Sequence, residues 1–362
     1  MTATPLSFCI PVYNFGAFLP ATLESILPQM LDAMEIVVLD GGSTDNTPEL
    51  MAGICARDPR VRYLRRDVRG GIDVDLASCI EAARGQYCWL FSGDDTLQSG
   101  GVAYVLSALE SGVDVHLLTH TDCTLDMQFL RVHPALAAVE PLRADLGQRD
   151  ARRLWLAQAL NTEALFSFAS TLVVRRQIWN SMPARQDFDR SGWGHVARLL
   201  EIARNRLEVV YHPRPLVNRR GENDSFRDRG IVRRFALAVD GYQRIAREFA
   251  RDEWEAAQIR RLVCADLPVT VFIGAKSACR NNPERENRAQ LDRLFMQCHG
   301  GAGPTGWWKL VLYWGFPTVL EPPAQRLLSW WRQRRLRRRE DLPVSGAGSS
   351  DGTGSPDKRT HA

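Results

Sequence analysis

Over the first hundred residues, short apolar runs of strand length alternate with stretches of helical period. Leu6-Ser7-Phe8-Cys9-Ile10-Pro11-Val12-Tyr13-Asn14 reads as a strand that ends in a Pro and an Asn, and Phe18, Leu19, Leu23, Ile26 and Leu27 then give one apolar helical face. A second strand over residues 35–39 runs into Asp40-Gly41-Gly42-Ser43-Thr44-Asp45-Asn46-Thr47-Pro48. Glycines there permit close backbone approach, Thr44, Asp45 or Thr47 can cap a helix, and Pro48 suits its first turn. A strand over 61–64, a helix over 73–83 and a strand over 87–92 continue the alternation. This series predicts an α/β fold with a mainly parallel sheet flanked by helices.

The last of these strands carries the candidate chemistry. Tyr87-Cys88-Trp89-Leu90-Phe91-Ser92-Gly93-Asp94-Asp95 is a buried-strand pattern ending in two adjacent carboxylates. A strand end is where open α/β sheets bind ligands, and two hard oxygen donors suit Mg²⁺ or Mn²⁺ bridging to substrate phosphates. An acidic turn capping the next helix is the alternative. Asp73 and Asp75 read first as favourable charges in the first turn of their helix, and second as ligand contacts.

Beyond residue 101 the pattern is mixed. Strands are predicted over 113–119, 129–132, 168–174 and 207–211, and a helix over 150–160. Residues 213–227 read as a long polar, basic loop, a type that is usually functional or mobile. Residues 231–298 read as helices with apolar stripes, the second of which Pro268 and Gly274 interrupt.

Composition changes the picture at the C-terminal end. The chain of 362 residues carries a net charge of +4, but residues 303–340 hold eight Lys/Arg against Glu321 and Glu340, so the remainder is net −2. Trp307, Trp308, Trp314, Trp330 and Trp331 crowd the same segment. Aromatic rings beside an arginine cluster match an interfacial anchor on an anionic membrane. A helix packed on the domain is one alternative. A nucleic-acid patch is a weaker one, since no nucleic-acid fold motif accompanies it. The apolar run 307–320 is too short to span a bilayer. Eight cysteines scattered singly, with no CxxC pair, argue for reduced thiols in a cytoplasmic protein and against a disulfide framework or zinc site. No signal peptide is read at the N-terminus, and residues 343–362, rich in Gly and Ser, are expected to be disordered.

Ile10-Pro11-Val12-Tyr13-Asn14, Val38-Leu39-Asp40-Gly41-Gly42-Ser43-Thr44-Asp45, Ala83-Arg84-Gly85-Gln86-Tyr87 and Ser92-Gly93-Asp94-Asp95 occur in the order and spacing of family 2 glycosyltransferases, and the sequence resembles the nucleotide-binding half of that family. Gly71-Ile72-Asp73-Val74-Asp75, Tyr87-Cys88-Trp89 and Gly192-Trp193-Gly194-His195-Val196 look most like its abequosyltransferase-type branch, whose members add deoxysugars to lipid-linked O-antigen intermediates. The resemblance implies a GT-A, Rossmann-like fold over residues 1–230, with a nucleotide-sugar half (1–100) and an acceptor half (101–230). A helical extension (231–300), a membrane-association segment (301–340) and a tail (341–362) would follow.

It also implies roles. Pro11, Tyr13 and Asn14 would border the nucleotide, Asp40 would hold base or ribose, and Asp73 would belong to the donor site. Asp94 and Asp95 would hold ribose and a divalent metal, and Arg219 and Arg220 would pair with donor phosphates. Asn223, Asp224 and Ser225 would bind sugar or order the loop. The family's Glu-Asp pair is missing, because Ser191 and Gly192 stand in its place. The substitutes as catalytic base are His195, Asp189 and Asp187. The implied function is transfer of a sugar from a nucleotide-diphosphate donor to a glycan or lipid-linked acceptor, on the inner face of the cell membrane. A catalytically silent scaffold and a sugar nucleotidyltransferase are the competing readings, and the second lacks its Gly-rich phosphate loop after the first strand.

Overall fold

The computed structural model describes residues 4–223, 230–284, 286–301 and 304–315. Strands β1 (Leu6–Val12), β2 (Glu35–Asp40), β3 (Val61–Arg65) and β4 (Tyr87–Leu90) are linked by helices α1 (Leu19–Ile26), α2 (Thr47–Arg57) and α3 (Ile72–Ala82). All four strands are parallel, with β2 and β4 on opposite sides of β1. The strand order therefore reverses at β1, and the crevice beyond the ends of β1 and β4 is the switch point of the sheet.

Period-two side-chain alternation divides the core. Phe8, Ile10, Ile36, Val38, Tyr87 and Trp89 pack on one face, while Cys9, Val37, Leu39, Cys88 and Leu90 pack on the other. Both faces are covered, which is why these strands read as continuous apolar runs.

β5 (Thr96–Leu97), α4 (Gly101–Leu109), β6 (Val115–Cys123), β7 (Phe129–His133), β8 (Leu142–Asp145) and α5 (Arg149–Gln158) follow. β9 (Leu172–Arg175), α6 (Arg176–Asn180), α7 (Gly194–Ile202) and β10 (Glu208–Arg220) complete the sheet region. The order is β3-β2-β1-β4-β9-β6-β10-β5, with β7 added to β6 and β8 to β10. β9 is antiparallel to both neighbours, so the sheet is mixed but mostly parallel.

One expectation is corrected here. Residues 213–220 are not loop but the second half of β10, which runs beside β6 to Arg220. Pro213 and Pro215 cannot donate to the ladder, and the register shifts between His212 and Pro215 and again between Pro215 and Val217. Bulges thus carry the strand through a sequence that reads as strand-breaking. Of the remainder of the predicted loop, residues 224–227, including Asp224 and Ser225, lie outside the described residues.

Helices α8 (Ile231–Phe249), α9 (Glu253–Asp266), α10 (Val269–Asn281), α11 (Arg288–His299) and α12 (Pro304–Gly315) form the extension. Pro268 does separate α9 from α10, whereas Gly274 sits inside α10 without ending it. Glu286 caps α8, accepting the Ile231 N–H at 2.8 Å and the Val232 N–H at 3.0 Å. The buried stripe of α8 (Phe235, Val239, Tyr242, Ile245) joins the same core cluster as α3 and α7. Among the described residues no single helix is long and apolar enough to cross a membrane; α9 and α10 pass only as a pair bent by 57°. Their Leu262, Val263, Phe272 and Ala275 are buried in the domain core. The run of Arg326–Arg339, with Trp330 and Trp331, lies outside the described residues.

Candidate active site

Three loops meet at the switch point, and short polar side chains lock them. Asn14, in a left-handed conformation (φ 58°), accepts the Thr44 N–H at 2.8 Å on its Oδ1, and the Ser43 hydroxyl accepts the Asn14 N–H at 2.8 Å. Asp45 accepts the Gly16 N–H at 2.9 Å and also the Thr47 hydroxyl and N–H, which ties the turn to the first residue of α2. Tyr13 is half-buried, with the Arg69 guanidinium 3.9 Å from its ring centre. Pro11 lies within β1, beside Leu39.

Asp40 at the end of β2 is fully buried. Its Oδ1 accepts the Ser43 N–H at 2.7 Å and the Ser43 hydroxyl at 2.6 Å, and its Oδ2 accepts the Tyr63 hydroxyl.

Asp94 and Asp95 are both buried, 7% and 2% exposed. Asp94 accepts the Ser92 hydroxyl on Oδ1 and the Asn223 amide N–H at 2.8 Å on Oδ2. Asp95 accepts the Ser170 hydroxyl at 2.6 Å on Oδ2 and the Arg220 N–H at 3.0 Å on Oδ1, while its carbonyl accepts the Thr22 hydroxyl at 2.8 Å. Burial, and then the charge of Asp94, push the Asp95 carboxyl up to about 7; burial likewise raises Asp94. Two adjacent buried carboxylates whose side chains accept only from hydroxyl, amide and backbone N–H groups fit a hard divalent cation. The Arg220 guanidinium donates to the Asp94 carbonyl at 2.9 Å and to the Leu125 carbonyl, so the arginine braces the pair from the end of β10.

A second acidic position joins the two halves of the sheet region. Asp73 accepts the Gly192 and Gly194 N–H groups, each at 2.8 Å, at the head of α7. His195 follows, buried, its Nε2 donating to the Phe166 carbonyl at 2.9 Å. That bond leaves the lone pair on Nδ1. Burial lowers the His195 pKa, against the pull of the Asp73 charge, so the ring is a neutral imidazole at neutral pH. Asp189 is exposed on a short turn, and Asp187 is engaged by Arg185 and by Arg244 on α8.

The sequence reading missed a buried charge network on β6. His120 lies between Asp122 (Nε2 to Oδ1, 3.2 Å) and Glu163 (Nδ1 to Oε2, 3.2 Å), and its ring stacks on His133 at 4.8 Å. Arg219 reaches Asp122 Oδ1 and Arg131 reaches its Oδ2, both at 2.8 Å. The Asn161 amide donates to His133 Nε2 at 3.0 Å, which makes that nitrogen an acceptor. Burial opposes it, but Glu163 and Asp122 raise His120 to about 9, so it is an imidazolium. Asp122 is held well below the usual carboxylate range by His120, His133 and Arg219, despite its burial. Ligand atoms of His120, Asp122 and His133 lie within 4.8 Å of one another, a spacing that can hold a metal ion. With both Asp122 oxygens bound by arginines, the group as described is an ion network in which His120, Arg131 and Arg219 compensate Asp122 and Glu163. Arg219, expected to face phosphate, is part of it. The signal for it is the period-two spacing of His120 and Asp122 along β6.

Residues 7–165 match the family model for Glycosyl transferase family 2. Abequosyltransferase RfbV of Salmonella typhimurium is 28% identical over 251 residues, covering 67% of this chain and 75% of that protein. Glycosyltransferase GlyG of Streptococcus pneumoniae is 34% identical over 93 residues, 26% of this chain and 31% of that protein. Among solved structures, residues 1–349 of S. aureus TarS in complex with UDP-GlcNAc superpose with a TM-score of 0.55 at 13% identity, covering 82% of this chain and 80% of that one. The mannosyltransferase PcManGT of Pyrobaculum calidifontis, in complex with GDP-Man and Mn²⁺, gives 0.52 at 14% identity, covering 86% and 88%. Residues 7–165 thus match glycosyl transferase family 2, the chain has a GT-A fold, and these similarities support glycosyltransferase activity.

Proposed function

We propose that the protein transfers a sugar, a deoxysugar among the candidates, from a nucleoside-diphosphate donor to a hydroxyl of a glycan or lipid-linked oligosaccharide in surface polysaccharide assembly of the O-antigen type. The observation that carries this is the buried, under-compensated Asp94-Asp95 pair at the switch point of the sheet. Similarity to an abequosyltransferase supports the sugar class, and a fold shared with nucleotide-sugar enzymes supports the donor class.

The donor's base and ribose lie along Pro11, Tyr13 and the turn after β2 that Asn14 and Asp40 hold in shape. Asp94 and Asp95 are the residues that would hold Mg²⁺ or Mn²⁺, and a cation there supplies charge neutralisation for the departing nucleoside diphosphate. Arg220 fixes the pair's geometry, and Asn223 holds Asp94. In the transfer, the acceptor oxygen bonds to the anomeric carbon while the carbon–oxygen bond to the phosphate breaks, its electrons leaving with the phosphate. The acceptor proton goes to His195 Nδ1, the free lone pair of a neutral ring that Asp73 stabilises once it is charged. Asp189, exposed and away from such support, is the weaker base candidate.

A membrane-borne acceptor is part of this reading. α12 exposes Trp307 (58%), Trp308 (67%) and Trp314 (53%), while Tyr313 on its opposite face is buried and stacks on Phe295 at 3.8 Å. A helix clamped by one face with tryptophans on the other, followed by the arginine-rich run, fits the inner face of an anionic bilayer. Release of nucleoside diphosphate from a nucleotide sugar, stimulated by a lipid-linked acceptor extract and by Mn²⁺, is the direct test. No release with any nucleotide sugar, with nucleotide binding intact, would instead favour a silent scaffold.

A further inference from the structure

Ser43 and Tyr63 donate to both oxygens of the fully buried Asp40 carboxylate. Its neighbour across the loop is less engaged. Asp75, in the first turn of α3, is 5% exposed, and its Oδ1 is a buried atom without a hydrogen-bond partner. Arg66 Nε forms an ion pair with it at 3.2 Å without hydrogen-bond geometry, and the same guanidinium also donates to Ser78.

Two glycines make room for this carboxylate. A Cβ at Gly41 would stand 2.7 Å from Asp75 Oδ2, and one at Gly70 would stand 2.7 Å from Oδ1. Gly41 donates its N–H to the Val12 carbonyl at 2.9 Å, which puts Asp75 beside the end of β1. Arg69, which covers the Tyr13 ring, also acts electrostatically on Asp75. Asp75 therefore brings a carboxylate oxygen without a hydrogen bond close to the end of β1, the strand that leads into Tyr13.

We propose that Asp75 reads the donor's base, selecting bases that present an exocyclic amine, cytosine or guanine, over uracil and thymine. Cytosine offers its N4 amine and guanine its N1–H and N2 amine to a carboxylate, whereas uracil and thymine flank a single N–H with two carbonyls that a carboxylate repels. The inference rests on the reading of this crevice as a nucleoside-diphosphate site.

The test is titration of the full chain with CDP, GDP, UDP and dTDP in Mn²⁺, for wild type, Asp75→Asn and Asp75→Ala, with thermal melts to establish folding. Wild type should bind CDP or GDP at least about tenfold more tightly than UDP and dTDP. Asp75→Asn, which offers an N–H to a base carbonyl, should shrink or reverse that ratio, and the CDP-to-GDP ratio tells which amino base is taken. Wild-type preference for UDP or dTDP would overturn the proposal. So would an equal loss for all four nucleotides in both variants, which would mark a ribose contact. Binding of none of the four by folded wild type would overturn it together with the donor-site reading.

Discussion

The carboxylate of Asp73 accepts the Gly194 N–H at 2.8 Å across 121 positions of sequence, tying the first turn of α3 to the head of α7. The same side chain accepts the Gly192 N–H. The same charge, in the first turn of α3, also holds the junction that sets the position of His195. Hydrogen bonds to a charged group contribute roughly 1.5–3 kcal/mol each, and removing the acceptor leaves two partly buried N–H groups. Asp73→Ala should therefore cost about 2–4 kcal/mol in a urea unfolding titration. A change below about 0.5 kcal/mol would show that the junction holds without it.

Asp95→Asn separates stability from binding. The amide keeps acceptance of the Arg220 N–H and can donate to Ser170, and it removes a carboxylate that burial and Asp94 disfavour. The metal-free variant should melt at or above the wild-type temperature, yet lose Mn²⁺-dependent nucleotide affinity by at least about tenfold. Retained metal dependence would move the cation elsewhere.

His195→Gln keeps a side-chain donor near the Phe166 carbonyl but provides no base. It should lower turnover by about 10²–10⁴-fold while changing donor affinity by less than about threefold. Equal losses in both would make His195 a packing residue.

The network around His120 makes stability depend on pH on the alkaline side. The folded-state pKa, about 9, lies above that of an unfolded histidine. Its contribution is therefore full below about pH 6.5 and disappears as pH rises through about 9. The melting temperature should fall by several degrees between pH 7.5 and 10, and His120→Gln, already lacking the charge, should show a flatter profile. Parallel profiles would place the alkaline loss elsewhere.

Trp307→Ser with Trp308→Ser removes two exposed rings without touching the buried Tyr313. Co-sedimentation with vesicles containing anionic lipid should drop at least about fivefold. Unchanged co-sedimentation would leave the membrane contact to other residues.

The alternating strands and helices were legible because β1, β2 and β4 are buried on both faces and read as unbroken apolar runs. The acid pair was legible because such a run stops at Asp94. β10 was not, since Pro213 and Pro215 disguise a strand whose bulges depend on β6. Nor was the fate of Asp40 or the spare oxygen of Asp75, because each depends on neighbours distant in sequence: Tyr63 in one case, Gly41 in the other. The Asp122 network likewise needs Glu163 and Arg219, which only the folded chain brings to His120.

The most direct measurement is a calorimetric titration of wild type and Asp94→Asn with CDP-, GDP-, UDP- and dTDP-sugars, with and without Mn²⁺. At least one nucleotide sugar should bind wild type, and its affinity should fall at least about tenfold both without metal and in the variant. Binding by none of them, or binding indifferent to metal and to Asp94, would contradict a metal-assisted donor site at this carboxylate pair.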